Sequence, residues 1–232
     1  MPEEHKLTYR KQADQYDLLV SREDYQHNLI KAINRIRNVD DLNVIDLGAG
    51  TGRVGLLFAN RTASSIALDL SPQMISLAKE KFHDGGHRNW SVSAADHRAL
   101  PLVNGCADLV ISGWSICYLV DWYQKTWKKE LERAFREIYR VLRPGGTIII
   151  IETQGTGFEK PNPPPHLVHY FEYLNNAGFE HFWIRSDYRF KDIEEAFHTA
   201  QFFFGADLAK QVKENNWVIL PECTGFWYKN LK

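Results

Sequence analysis

The sequence predicts an α/β fold: one doubly wound domain built on a mainly parallel, seven-stranded sheet with an antiparallel edge strand. Three observations predict it. Short β-rich runs alternate with helical patterns along the 232 residues. The first run, Val44-Ile45-Asp46-Leu47, closes on a glycine-rich turn. No internal repeat and no low-complexity linker divides the chain.

The elements follow in order. Residues 43–47 form a short apolar run that reads as a buried strand, and 52–60 read as the helix after it. Residues 65–69 are a second strand. Ser71-Pro72 opens the next helix, with Ser as N-cap and Pro at the first helical position. Residues 89–94 and 107–112 are strands three and four. Asp121 is placed to cap a long helix over 122–142, whose apolar stripe is Trp127, Leu131, Phe135 and Ile138. Pro144-Gly145-Gly146 stops that helix, and 147–151 is a fifth buried strand. Residues 166–177 read as a helix, 182–190 as a strand, 193–215 as helix in two pieces and 217–228 as a last strand. The final two strands lack a clear helical crossover, which suggests an antiparallel hairpin at the sheet edge.

Composition narrows the function. Lys and Arg number 28 against 29 Asp and Glu, a net charge of −1. That balance lacks the basic excess a phosphate-backbone binder needs, so no nucleic-acid partner is expected. The densest basic stretch, 125–143, is interleaved with Glu130, Glu132 and Glu137 and reads as a solvated helix face. Cys106, Cys117 and Cys223 are far apart and odd in number, which fits a reducing compartment rather than a disulfide framework or a zinc site. The longest nearly apolar stretch, 109–120, is interrupted by Ser112, Gly113, Ser115 and Tyr118. It falls short of the roughly 20 apolar residues of a membrane span. The N-terminus has early acids and no apolar signal core. A cytoplasmic protein with no membrane partner is expected, as a monomer or homodimer.

The segment Asp46-Leu47-Gly48-Ala49-Gly50-Thr51-Gly52 carries the chemistry. Glycines between a strand and a helix let the backbone turn sharply and approach a ligand. In an open α/β sheet such a turn lies at the carboxyl ends of the strands, where ligands bind. Two cofactors compete for it. Gly50-Thr51-Gly52-Arg53-Val54-Gly55 spells the dinucleotide fingerprint, with Asp69 positioned to hold a ribose. Against a dinucleotide stands Asp46, an acid that an anionic pyrophosphate would avoid and that a ligand with an amine and a sulfonium would not.

Four motifs in sequence order resemble the class I S-adenosylmethionine-dependent methyltransferases. They are 44–52, Ala67-Leu68-Asp69-Leu70-Ser71-Pro72-Gln73-Met74, Ala95-Asp96-His97 with Leu100-Pro101, and Leu142-Arg143-Pro144-Gly145-Gly146. The resemblance implies S-adenosyl-L-methionine as cofactor and the following roles. Asp46 and the backbone of Gly48, Ala49, Gly50 and Gly52 would meet its methionine part. Asp69 would accept from both ribose hydroxyls, as a carboxylate can. Leu70 and Met74 would pack on the adenine, Asp96 would accept from its amino group, and the His97 backbone would face the ring. Ser112 would floor the site.

Methyl transfer from a sulfonium needs positioning above all, and a base only when the acceptor carries a proton. No base stands out; His166, His169 and Glu152 are the candidates. His166 and His169 have no third partner for a metal, so none is expected. The turn after the fourth strand, Ser112-Gly113-Trp114-Ser115, lacks the Asn/Asp-Pro-Pro-aromatic pattern found in methyltransferases of amide or base nitrogens, which points to a small-molecule acceptor. Tyr16, Trp114, Tyr118 and Tyr173 are the candidate acceptor contacts. The domain then divides into an N-terminal helical lid (1–40), a cofactor-binding core (41–155), and substrate-side helices with the last two strands (156–232). The alternatives are a non-catalytic S-adenosylmethionine-binding protein and an NAD-dependent oxidoreductase.

Overall fold

Strand β1 (Asn43–Leu47) shows why the sheet is central: four of its five residues are buried. Val44 packs with Leu109, Ile111 and Ile149 on one face, while Ile45 and Leu47 join a cluster with Ile116, Leu131 and Ile148 on the other. A strand covered on both faces cannot alternate apolar and polar residues, and its sequence does not. The computed structural model describes residues 13–232. The first part of the expected lid, residues 1–12, lies outside the described residues.

Seven strands form the main sheet in the order β3-β2-β1-β4-β5-β9-β6. They are β1, β2 (Ser64–Asp69), β3 (Trp90–Ala94), β4 (Ala107–Gly113), β5 (Leu142–Thr156), β6 (Glu180–Arg185) and β9 (Glu222–Asn230). β1 through β5 run parallel. The antiparallel member is β9, which pairs with β5 on one side and with the edge strand β6 on the other. The reversal of strand order falls between β1 and β4, so the crevice for a ligand opens at their carboxyl ends. A separate ribbon pairs β7 (Tyr188–Arg189) with β8 (Ile219–Leu220).

The helices are α1 (Ala13–Arg22), α2 (Asn28–Ile36), α3 (Pro72–Asp84), α4 (Tyr118–Trp122), α5 (Trp127–Val141), α6 (Val168–Asn176), α7 (Ile193–Phe204) and α8 (Ala206–Glu214). α3 starts as its sequence predicts: the Ser71 hydroxyl accepts from the Met74 amide and Pro72 occupies the first turn. α5 buries Leu131, Phe135 and Ile138 from its stripe. Fully burying each such side chain contributes about 1.5–3 kcal/mol.

Four elements differ from the sequence expectation. No α-helix spans 52–60, only a 3-10 turn over Gly55–Leu57. Gly52 has φ 89, and the Asp46 carboxylate takes the Gly55 amide at 2.8 Å, which diverts that N–H from a helical ladder. Asp121 caps no long helix; it lies inside α4, and a break at 123–126 separates α4 from α5. Burial of Leu119 and Val120 pulls the first helix upstream of Asp121. The expected strands 182–190 and 217–228 each divide, because β6 and β9 stay in the main sheet while β7 and β8 peel off to pair with each other. α7, α8 and that ribbon share a cluster of their own with Leu19, Tyr188, Ala200, Val212 and Leu220.

Candidate functional site

One cavity of about 510 Å³ opens at the carboxyl ends of β1, β2, β4 and β5. Its size suits a cofactor-sized ligand. At one end lie Gly48, Gly50, Asp69, Leu70, Met74, Asp96 and His97; at the other lie Arg53, Trp114, Trp122, Thr153, Thr156, Tyr188, Phe203, Phe204 and Glu222.

The first end is built from main chain. Gly48 and Gly50 have φ 75 and 55, and a Cβ on Gly48 would sit 1.6 Å from Ser115 Oγ. Only glycine fits there. The Gly50 amide donates to Asp69 Oδ2 at 2.9 Å and the Ser71 amide to Oδ1 at 2.8 Å. The β2 carboxylate is thereby fixed on the cavity wall with lone pairs to spare. Burial raises its pKa, while those amides oppose the rise. Asp96 is held by Arg98, whose Nε and Nη2 reach its two oxygens at 2.8 and 2.6 Å. That pairing lowers its pKa to about 2, so it remains an acceptor at any working pH. Arg98 also meets Glu130. His97 lines the cavity with its side chain, Nε2 lying 3.1 Å from Ser115 Oγ, and burial pushes its pKa down to about 4. α1 crosses above the glycine turn: Thr51 Oγ1 donates to Asp17, Lys81 pairs with Asp17, and Tyr16 stands over Gly50.

The second end is built from side chains. The Arg53 guanidinium stacks 3.4 Å over the Trp114 ring and pairs with Glu23. Trp114 has φ 47, a left-handed backbone that a bulky residue adopts only when its surroundings impose it. Glu222, 1% exposed at the start of β9, accepts from Thr153 Oγ1 at 2.7 Å.

Several expected site residues lie elsewhere. Asp46 is fully buried beneath the turn, outside the residues that line the cavity; its Oδ2 takes the Gly55 amide, and its Oδ1 has no hydrogen-bond partner among the described residues. Burial lifts its pKa to about 7. Ala49 and Gly52 shape the turn without lining the cavity. Ser112 points into the interior, one residue before the β4 carboxyl end; Gly113, Trp114 and Ser115 form the wall instead. Glu152 is buried behind the sheet, accepting from the Cys117 amide and the Tyr170 hydroxyl at 3.2 Å each, and burial pushes its pKa up to about 8. His166 is exposed, 3.9 Å from Asp121, and His169 lies edge-on to Trp127. Tyr173 packs among Trp127 and Phe135. None of these four lines the cavity. Tyr16, Trp114 and Tyr118 do. The residues that sequence reading missed are Arg53, Arg98, Ser115, Thr153, Tyr188 and Glu222. Two carried a signal: Arg53 is a lone cation in an apolar run, and Glu222 a lone acid in a strand pattern.

The overlapping dinucleotide fingerprint fails on geometry. It requires a helix N-terminus to receive a pyrophosphate, and a 3-10 turn stands there instead. Its last glycine, Gly55, is packed against Asp46 and Phe82. Among the described residues no group of three His, Cys, Asp or Glu side chains could hold a metal. No helix among them is long and apolar enough to cross a membrane.

A family model described as a methyltransferase domain matches residues 45–150, from β1 through most of β5. The chain is 30% identical over 133 residues to the demethylmenaquinone methyltransferase of Lactococcus lactis, covering 55% of this chain and 49% of that one. It is 32% identical over 156 residues to a malonyl-[acyl-carrier protein] O-methyltransferase of Marinomonas, covering 64% and 54%. The chain spans about half the length of these curated relatives. Among solved structures, a SAM-dependent methyltransferase from Aquifex aeolicus superposes with a TM-score of 0.58 at 16% identity, covering 94% of this chain and 97% of that one. At that identity the likeness is one of fold.

Proposed function

We propose that this chain, whose residues 45–150 match a methyltransferase-domain model, is a class I S-adenosylmethionine-dependent methyltransferase that transfers a methyl group from that cofactor to a small molecule. The observation that carries the reading is one cavity with two unlike ends. Asp69, fixed by two amides, faces it at the glycine turn, and a separate, largely aromatic end provides room for an acceptor.

The residues present fit the cofactor. The glycine turn is a cradle that a Cβ at Gly48 would fill. Asp69 would take the ribose hydroxyls, Asp96 the adenine amino group, and Leu70 and Met74 the ring face. S-adenosylmethionine supplies an electrophilic methyl group when bound. The protein's part is to hold the acceptor close and aligned, an effect of about 7–11 kcal/mol when complete. α1, through Tyr16 and Asp17, serves as the lid over the glycine turn, and α7, through Phe203 and Phe204, walls the acceptor end.

The relatives named above act on a menaquinone precursor and on an acyl carrier protein conjugate, which supports a small organic acceptor. The balanced charge supports an acceptor that is not nucleic acid. The three free cysteines support a cytoplasmic setting, and the near-neutral charge is compatible with a monomer or homodimer. Calorimetric titration with S-adenosylhomocysteine, with NADH in parallel, tests the reading. Micromolar binding of the former alone is expected. Binding of NADH alone would overturn it.

A further inference from the structure

Glu222 is the one acid at the acceptor end with no part in the cofactor reading. It starts β9 opposite Thr156 of β5, on the cavity wall, and is 1% exposed. Its Oε1 accepts from Thr153 Oγ1 at 2.7 Å; the Thr156 hydroxyl lies beside the carboxyl group, and Oε2 has no partner at good hydrogen-bond geometry among the described residues. A buried carboxyl oxygen left without a partner carries a desolvation cost that a ligand can relieve. The charges nearby set which ligand. Arg53 is the only cation on this part of the wall among the described residues, and it is already committed: Glu23 takes its charge and Trp114 its face. Glu23 in turn accepts from Ser186 Oγ at 3.2 Å. An anion arriving here would face Glu222, with Glu23 buried behind Arg53, and find no free countercharge. The remaining walls, from Trp114, Trp122, Phe203, Phe204 and Tyr188, suit an aromatic body.

Resting on the methyltransferase reading, we infer that Glu222 is the polar anchor of the acceptor subsite, and that the acceptor is a neutral aromatic molecule presenting a hydroxyl to its carboxyl group, carboxylate acceptors being rejected. The hydroxyl can serve either state of Glu222, donating to the carboxylate or accepting from the acid. An anion loses by ionisation of Glu222, as like charges in a desolvated site repel. Burial, and then repulsion from Glu23, push the Glu222 pKa up to about 8. The other charged or titratable groups around it are Arg53, Tyr188 and Asp187, the last accepting from the Glu222 amide at 3.0 Å. Selectivity for the hydroxyl over the carboxylate therefore rises with pH across neutrality.

The test uses the full chain saturated with S-adenosylhomocysteine and two matched probes, 4-methylphenol and 4-methylbenzoate. Neither titrates between about pH 6.5 and 8.5, since phenols ionise near 10 and carboxyls near 4. Ligand-observed magnetic resonance gives their affinities at both pH values, for the native protein and for Glu222→Gln and Thr153→Val. The native protein is expected to prefer the phenol by about tenfold at the higher pH and by less at the lower. Glu222→Gln should flatten that pH dependence, with S-adenosylhomocysteine affinity kept within about twofold as the check on folding. Thr153→Val, which frees Oε1 without changing the charge count, should keep the pH dependence. Equal preference in the native protein and in Glu222→Gln, or failure of the phenol to bind the native complex, overturns the assignment. Failure of S-adenosylhomocysteine to bind the native protein overturns the methyltransferase reading instead.

Discussion

The two ends of the cavity are made in different ways. The cofactor end draws Gly48, Gly50, Asp69, Leu70, Met74, Asp96 and His97 from three short stretches, and the Gly50 and Ser71 amides fix its central carboxylate. The acceptor end draws Arg53, Trp114, Thr153, Tyr188 and Glu222 from five elements spread over most of the chain. A cofactor common to many proteins is met by main-chain geometry, which contiguous sequence dictates. An acceptor particular to this protein is met by side chains that only tertiary packing assembles. A substitution at one end should therefore leave the other end's affinity alone.

Asp69→Ala gives the largest expected effect. It removes the acceptors for the ribose and also releases the Gly50 and Ser71 amides. S-adenosylhomocysteine affinity should fall by about a hundredfold or more, since each hydrogen bond to a charged group contributes about 1.5–3 kcal/mol. Acceptor affinity, measured with cofactor product held at saturation, should change little. Calorimetry on the variant checks both, and a parallel loss at both ends would break the separation.

Trp114→Ala comes next and acts on the other end. It removes an aromatic wall and the ring beneath Arg53. The acceptor Michaelis constant should rise by about tenfold, in the range of a lost stacking or cation–π contact, with cofactor affinity unchanged. Tyr173→Ala is the control. Its ring lies against Trp127 and Phe135, away from the cavity, so it should lower stability and leave the Michaelis constant alone.

That pair shows where the sequence ceased to be readable. Trp114 and Tyr173 were equal candidates as aromatic residues near strand ends. Trp114 faces the cavity because the chain leaves β4 through a left-handed residue; Tyr173 faces the core because α6 packs that side onto α5. Neither fact has a local signature. The parallel order of β1 to β5, the Ser71 cap and the placing of Asp69 followed from short-range patterns, and these were legible. Asp46 was legible as an acid at a strand end but not as a buried one behind the cavity wall, where its Oδ2 takes the Gly55 amide. The helix expected over 52–60 failed for the same hydrogen bond. Arg53 and Glu222, 169 positions apart, could be joined only through the sheet.

A third expectation concerns buried acids at both ends and between them. Asp46 is raised to about 7, and Glu152 and Glu222 to about 8, each chiefly by burial. The native protein thus retains protons that the unfolded chain loses near pH 4. Stability from these groups is fully present below that value and is lost as pH rises through 7 and 8. The melting temperature should drop on the order of 5 °C between about pH 6.5 and 8.5. Thermal scans check it, and Glu152→Gln should flatten part of the slope without touching either ligand's affinity. A melting temperature that rose over that interval would mean these carboxyls ionise freely in the native state.

The smallest expected effect belongs to His166 and His169, the histidines that sequence spacing offers as bases. A general base must come within about 2.6–3.2 Å of the proton it takes, directly or through one water. His166 is exposed and faces Asp121, and His169 spends its ring on Trp127. Both sit on the outer side of a second 3-10 turn, Pro165–Leu167, and of α6, with Leu167 between them buried in the core. The double variant His166→Ala, His169→Ala should keep kcat within about twofold and kcat/KM with it, as surface substitutions away from a site do. A fall in kcat of tenfold or more at unchanged KM would show that this segment swings onto the acceptor end during turnover, and the division of labour between the two ends would then need a third, mobile contributor.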